Sequence, residues 1–222
     1  MANRSSEQEM LAMRSEARRL AELAGDEDEL WRVKVADLFW PMRRRSITKE
    51  EIAEGKQIGQ TAASYFEARE DWEMFHASLD GYASVMLMSG DHAEVIAAAS
   101  HRLTAPTSSR LDWGDAVGML VVGHTHSGDY RAAIDVMNQE LARLHPGEPR
   151  APFSNGVSTT LMTCAFAGEW DHRDTLLTAL RTIWEEIRRD AGAAFLLPGF
   201  FSGLHVALAR EDRASADAAY PS

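Results

Sequence analysis

One short phrase returns along this chain and limits what it can fold into. Ser89-Gly90-Asp91-His92, Ser127-Gly128-Asp129-Tyr130 and Ala167-Gly168-Glu169-Trp170 each follow an apolar, helix-like stretch and precede another. Glycine enters the left-handed backbone region cheaply, so it ends a helix. The acid behind it caps or charges the first turn of the next helix. The glycines recur from 90 to 128 and from 128 to 168, the spacing that a stack of helical hairpins produces.

The rest of the sequence agrees with helix throughout. A first helix runs from Ser5 or Ser6 to Ala24, with Leu11, Ala17, Leu20, Ala21 and Ala24 as its inward face. A second covers about Glu27 to Arg44, with Leu30, Val33, Ala36, Leu38 and Trp40 inward and a kink expected near Pro41. Thr48-Lys49-Glu50-Glu51 reads as a capping box opening a third, to about Arg69. Asp71 caps a fourth, carrying Trp72, Phe75, Leu79, Tyr82, Ala83 and Met86, and Asp91 caps a fifth that ends before Pro106. Helices over about Leu111–Ser127, Tyr130–Leu144, Asn155–Ala167, Trp170–Asp190 and Ala194–Arg210 follow, and an eleventh element over Asp212–Tyr220 starts another hairpin. The longest irregular connection is His145 to Asn155, with Pro146, Pro149 and Pro152. The fold class is therefore all-α, in ten to eleven helices with corners near 25, 46, 70, 90, 106, 128, 150, 168, 192 and 211. Residues 1–222 read as a single repeat domain, because no linker-like composition shift divides them.

Charge and cysteine content narrow the function classes. The formal charge is −11 and the only lysines are Lys34, Lys49 and Lys56, so a nucleic-acid surface, which needs clustered Lys and Arg, is not expected. Arg43-Arg44-Arg45 is the only concentrated positive run, and it reads as a basic helix end favoured by the helix dipole. The single Cys164 excludes an internal disulfide framework and fits a reducing cytoplasm. The uncharged stretch Ala191–Ala209 nearly reaches bilayer-spanning length. Pro198-Gly199, Gly192, Gly203 and His205 mark it instead as a kinked, buried repeat helix, and no membrane partner is expected.

The turns resemble those of tetratricopeptide repeats. Gly128-Asp129-Tyr130-Arg131-Ala132-Ala133-Ile134 is similar to that family's inter-helix turn and second-helix start. Leu120 and Val121 fall where the family has a Leu-Gly pair, and His124 where a Tyr is usual. Gly90–Ile96 is a second match, with Val95 in place of a small Ala, and Gly168–Arg173 a third, with Arg173 at that position. Leu23-Ala24-Gly25-Asp26 and Glu67-Ala68-Arg69-Glu70-Asp71 close one hairpin and open the next. The longer, uneven period resembles the divergent arrays of bacterial LuxR-type regulators, signalling ATPases and adenylate or guanylate cyclases. The resemblance implies a right-handed solenoid with a concave groove that binds a protein or peptide. The unfinished last hairpin would then belong to a longer protein or to a stack needing a partner cap.

Catalytic chemistry finds little footing. His124 and His126 lie two apart on a helix and point to different faces, so with Asp129 they make no joint metal site. Cys164 lies in an apolar run, Leu161–Phe166, and reads as a buried inert thiol. Glu50-Glu51, Glu70-Asp71 and Glu185-Glu186 read as caps and solvated faces. No nucleophile elbow, phosphate loop or dinucleotide fingerprint occurs, and Gly55, Gly59, Gly114, Gly118 and Gly123 read as helix-crossing points. No cofactor, metal or catalytic residue is expected.

The expected function is a non-enzymatic scaffold whose groove is lined by Trp72, Phe75, Tyr82, Trp113, His124 and Tyr130, with a basic partner favoured by the acidic balance. Of the six tryptophans, Trp31, Trp40, Trp72, Trp113, Trp170 and Trp184, most are read as packing and one or two as exposed anchors on the groove. The alternatives are a sensor or regulatory module of a larger transcriptional regulator or cyclase-type protein, and an all-α enzyme with a scattered site.

Overall fold

The computed structural model describes residues 4–44, 46–107, 109–169 and 171–189. Among them are ten α-helices, one short 3-10 turn and no strand. The expected helix Ala194–Arg210, the element Asp212–Tyr220, the corners at 192 and 211 and the uncharged stretch 191–209 lie outside the described residues. No described helix is long and apolar enough to cross a membrane.

The recurring phrase does what its chemistry dictates. Gly90, Gly128 and Gly168 sit at φ +82°, +83° and +69°, each just past the end of a helix. Five corners share one bond: the N–H of Asp26, Asp71, Asp91, Asp129 and Glu169 donates to the carbonyl five residues back. That bond satisfies a carbonyl the helix end would otherwise leave open. At the corner before Asp71 the left-handed position is held by Glu70, at φ +57°. Asp26, Asp71 and Asp129 then accept from the N–H three residues on, so the acid after the left-handed residue starts the next helix.

The chain divides into two compact units at Asp91/His92. The first holds α1 (Arg4–Ala24), α2 (Glu27–Asp37), α3 (Trp40–Arg44), α4 (Lys49–Glu67) and α5 (Trp72–Ser89). Thr48 forms the expected capping box with Glu51. The expected single helix over 27–44 is broken instead of kinked. A proline nitrogen donates nothing and its ring collides with the carbonyl four residues back. The helix therefore tightens through Leu38 N–H to Val35 and Phe39 N–H to Ala36, stops, and restarts with Pro41 in the first turn of α3. The tightest pairing is α4 on α5, made possible by small residues. A Cβ on Gly59 would lie 2.6 Å from Tyr82 Cβ, and one on Gly55 2.9 Å from Val85. Phe66, Phe75, Tyr82, Val85 and Met86 fill this core.

The second unit holds α6 (His92–Thr104), α7 (Arg110–Ser127), α8 (Tyr130–Arg143), α9 (Ser154–Ala167) and α10 (Arg173–Arg189). Here α7 is central and packs on α6, α8 and α9, while α9 also packs on α8 and α10. Val117, Ile134, Met137, Phe153, Leu161, Leu180 and Ile183 form its core. The connection expected to be irregular to Asn155 is partly ordered, since a 3-10 turn covers Ala151–Phe153 and α9 begins at Ser154. Two forces hold it. Phe153 is fully buried, and Glu186 Oε2 accepts from the N–H groups of Arg150 and Ala151, both at 2.7 Å. The glycines read as crossing points serve that role: a Cβ on Gly114 would lie 2.5 Å from the Pro152 carbonyl oxygen.

Candidate functional site

Of the residues expected inward on α1, Ala21 turns into the core, while Leu20 is 52% accessible and Ala17 and Ala24 are exposed as well. Met13, on the same face as Ala17, is 72% accessible. Positions 13, 17, 20 and 24 lie on one face of a helix, so they form a continuous apolar stripe. The stripe leads into a groove of about 560 Å³ in the first unit. Met13 and Arg14 of α1, Arg32, Val35 and Ala36 of α2, Phe39 and Trp40 beyond it, and Met74 and Ala77 of α5 make its walls. On α2, Leu38 is buried as expected and Val35 is buried beside it, while Ala36, expected inward, is exposed.

The groove's arginines are fixed in place. Arg14 Nε donates to Asp37 Oδ1 at 2.6 Å, and Arg18 holds the other oxygen at 2.7 Å. The Arg14 guanidinium also lies 4.9 Å over the Trp40 ring, a cation–π contact that holds that indole at the groove wall. Arg32 donates to Asp71 Oδ2 at 2.6 Å and stands 5.6 Å over Phe66. The lining is thus apolar with two oriented cations and no carboxylate of its own. Methionine and aromatic side chains adapt to varied apolar shapes.

The structure places the sequence-derived site residues differently. Trp72, Phe75 and Tyr82 belong to the first unit, and Trp113, His124 and Tyr130 to the second. Phe75 (0% exposed) and Tyr82 (3%) are core, which corrects their assignment to a groove: α5 turns Phe75 into the interior, and Gly59 of α4 lets α5 approach so closely that the Tyr82 ring is covered. Trp72 is half-buried and edge-on to Phe75 at 5.7 Å. Trp113 ties α7 to α8 by donating to Glu140 Oε2 at 3.1 Å. His124 is half-buried, with Nδ1 3.9 Å from Asp129 Oδ2. Tyr130 packs on Phe166, centroids 6.5 Å apart, and Phe166 is 68% exposed.

Other candidate groups have structural partners. Burial pushes the Cys164 thiol up to about 11, so it is protonated and unreactive at neutral pH. Arg44 pairs with Glu51 at 2.6 Å; with the Thr48 N–H bond it holds the Glu51 carboxyl below the usual range. The side chains of Arg43 and Arg45 lie outside the described residues. Glu185 pairs with Arg188 and Arg189. No group of three or more His, Cys, Asp or Glu among the described residues is arranged to hold a metal ion.

No family model, no curated protein and no solved structure matches the chain.

Proposed function

We propose that the chain is a non-enzymatic binding scaffold, built as a tetratricopeptide-like stack of helical hairpins, whose partner is a protein or peptide segment. The observation that carries this reading is the exposed apolar stripe of α1 running into the groove at Met13, Trp40 and Met74. A continuous apolar surface of this kind is costly to leave in water and marks an interaction site. Its shape suits an amphipathic helix laid along the stripe with one side chain in the groove. Arg14 and Arg32 already pair with Asp37 and Asp71, so they hold the groove's walls and the anchor it selects is apolar.

Stacking is supported by a repeated contact in the second unit. The ring two residues after one corner glycine meets the ring two residues before the next. His92 meets His126 at 5.3 Å, and Tyr130 meets Phe166 at 6.5 Å. A regular translation from hairpin to hairpin produces this repetition.

The test is a peptide-display selection on the whole chain, counter-screened on Met74→Asp. Selected peptides should share an apolar motif and lose about tenfold or more in affinity on the variant, the cost of burying a carboxylate against an apolar anchor. Peptides that bind Met74→Asp equally well would overturn the reading. The groove's volume also falls in the range of small-molecule sites. That favours, as a second reading, a sensor module of a larger bacterial transcriptional regulator or cyclase-type signalling protein.

A further inference from the structure

The second unit has a groove of its own, about 720 Å³, between α8 and α10 beside the 3-10 turn. Its walls include Asn138 and Leu141 of α8, Arg150 of the connection, and His172, Asp174 and Thr175 at the start of α10. Several donors line it that have no partner among the described residues. Arg150 uses its backbone N–H on Glu186, but its guanidinium makes no hydrogen bond or ion pair among the described residues. The side chains of His172 and Thr175 make none either, and Asn138 Nδ2 has no hydrogen-bond partner. Thr178, by contrast, gives its hydroxyl to its own helix, at Asp174 O.

Arg150 is half-buried, and its guanidinium has no counter-charge among the described residues, an arrangement that favours a matching anion. Arginine presents a planar fork that fits two oxygens of a carboxylate or phosphate. The start of α10 contributes the positive end of its dipole. Leu141, Ala142 and Ala179 provide apolar wall for a carbon skeleton. Asp174 is the one opposing charge in the lining.

We infer that this groove binds a small organic oxyanion, a carboxylate or a phosphate ester, through Arg150 with His172 and Thr175. The site is independent of the α1 stripe and of the partner proposed for it. Titration calorimetry of the full chain with inorganic phosphate and, separately, glutarate tests it. Saturable binding of either is expected, and whichever binds more tightly names the oxyanion. Arg150→Gln should weaken that binding about tenfold or more, the value of one charge-assisted bond. Asp174→Asn should tighten it, since it removes the only like charge in the groove. Arg131→Gln, an exposed arginine outside the groove, should leave it unchanged. Failure of both probes to saturate at about 50 mM, well above the millimolar range of weak specific binding, overturns the proposal. So does equal weakening by Arg150→Gln and Arg131→Gln, which would indicate general surface charge. Far-UV circular dichroism checks that Arg150→Gln folds; should it not fold, Asp174→Asn and Thr175→Val carry the same comparison.

Discussion

Asp71 holds Arg32 across 39 positions of sequence with one carboxylate oxygen, and with the other it accepts the N–H of Met74. One side chain therefore starts α5, anchors α2 to it and fixes two walls of the apolar groove. Asparagine is as good a helix cap as aspartate but carries no charge. Asp71→Asn should cost less than about 1 kcal/mol, the value of a partly exposed ion pair. Asp71→Ala should cost about 1–2 kcal/mol more, because the cap is lost as well. Urea unfolding of both variants separates the two roles; equal losses would show that the cap contributes nothing.

Glu70 is the only residue other than glycine found at positive φ among the described residues. It makes the same corner as Gly25, Gly90, Gly128 and Gly168 but bears the strain of a Cβ in left-handed backbone, about 1–2 kcal/mol. Glycine there relieves that strain at an unfolded-state entropy cost of about 0.4–1 kcal/mol. Glu70→Gly should thus raise stability modestly, while Gly128→Ala should lower it by about 1 kcal/mol or more. Thermal unfolding of the pair gives both signs in one experiment.

Close helix crossings make a graded set. A Cβ at Gly114 would meet the Pro152 backbone at 2.5 Å, whereas one at Gly118 would find its nearest neighbour at 3.4 Å. Backbone cannot step aside as a flexible side chain can. Gly114→Ala should destabilise by about 1–3 kcal/mol, the range for overpacking, and Gly118→Ala by clearly less. A reversed order in chemical denaturation would contradict this account of how α7 meets the connection after α8.

Tyr65 provides a spectroscopic reading of the α2–α4 contact. Desolvation first, and then its hydrogen bond to Asp28 at 2.5 Å, push the phenol up to about 12. The raised value favours the neutral ring in the fold. This contribution is complete below the ordinary tyrosine range and disappears as pH rises through the folded value. Absorbance titration should show one tyrosine ionising late, and Asp28→Asn should bring it earlier.

Cys164 offers a kinetic check. Its thiol is fully buried and pushed up to about 11, by burial first and then by the charge of Glu169. Iodoacetamide at pH 8 should label it only at the rate at which the second unit opens, and at once in urea. Rapid labelling of the native chain would mean that α9 is not packed as described.

The corners were legible because their chemistry is local. A left-handed residue, an acid able to cap and a carbonyl five residues back all lie within one short segment, so Gly90, Gly128 and Gly168 could be placed without knowing their surroundings. The Thr48–Glu51 box was legible for the same reason. The faces were not. Helical periodicity marks an apolar stripe but not whether another helix covers it, and on α1 the stripe expected inward is the exposed one. Phe75 and Tyr82 carried the aromatic signal of a binding surface and proved to be core.

Among the described residues, the sequence by itself determined the helical class, the positions of the corners and the glycines at which helices cross, since each depends on backbone conformation and short-range bonding. Only the tertiary structure decided which apolar faces stay open and which arginines reach the groove. Those properties depend on residues such as Arg32 and Asp71 that meet only after the helices pack. No local pattern encodes such a meeting.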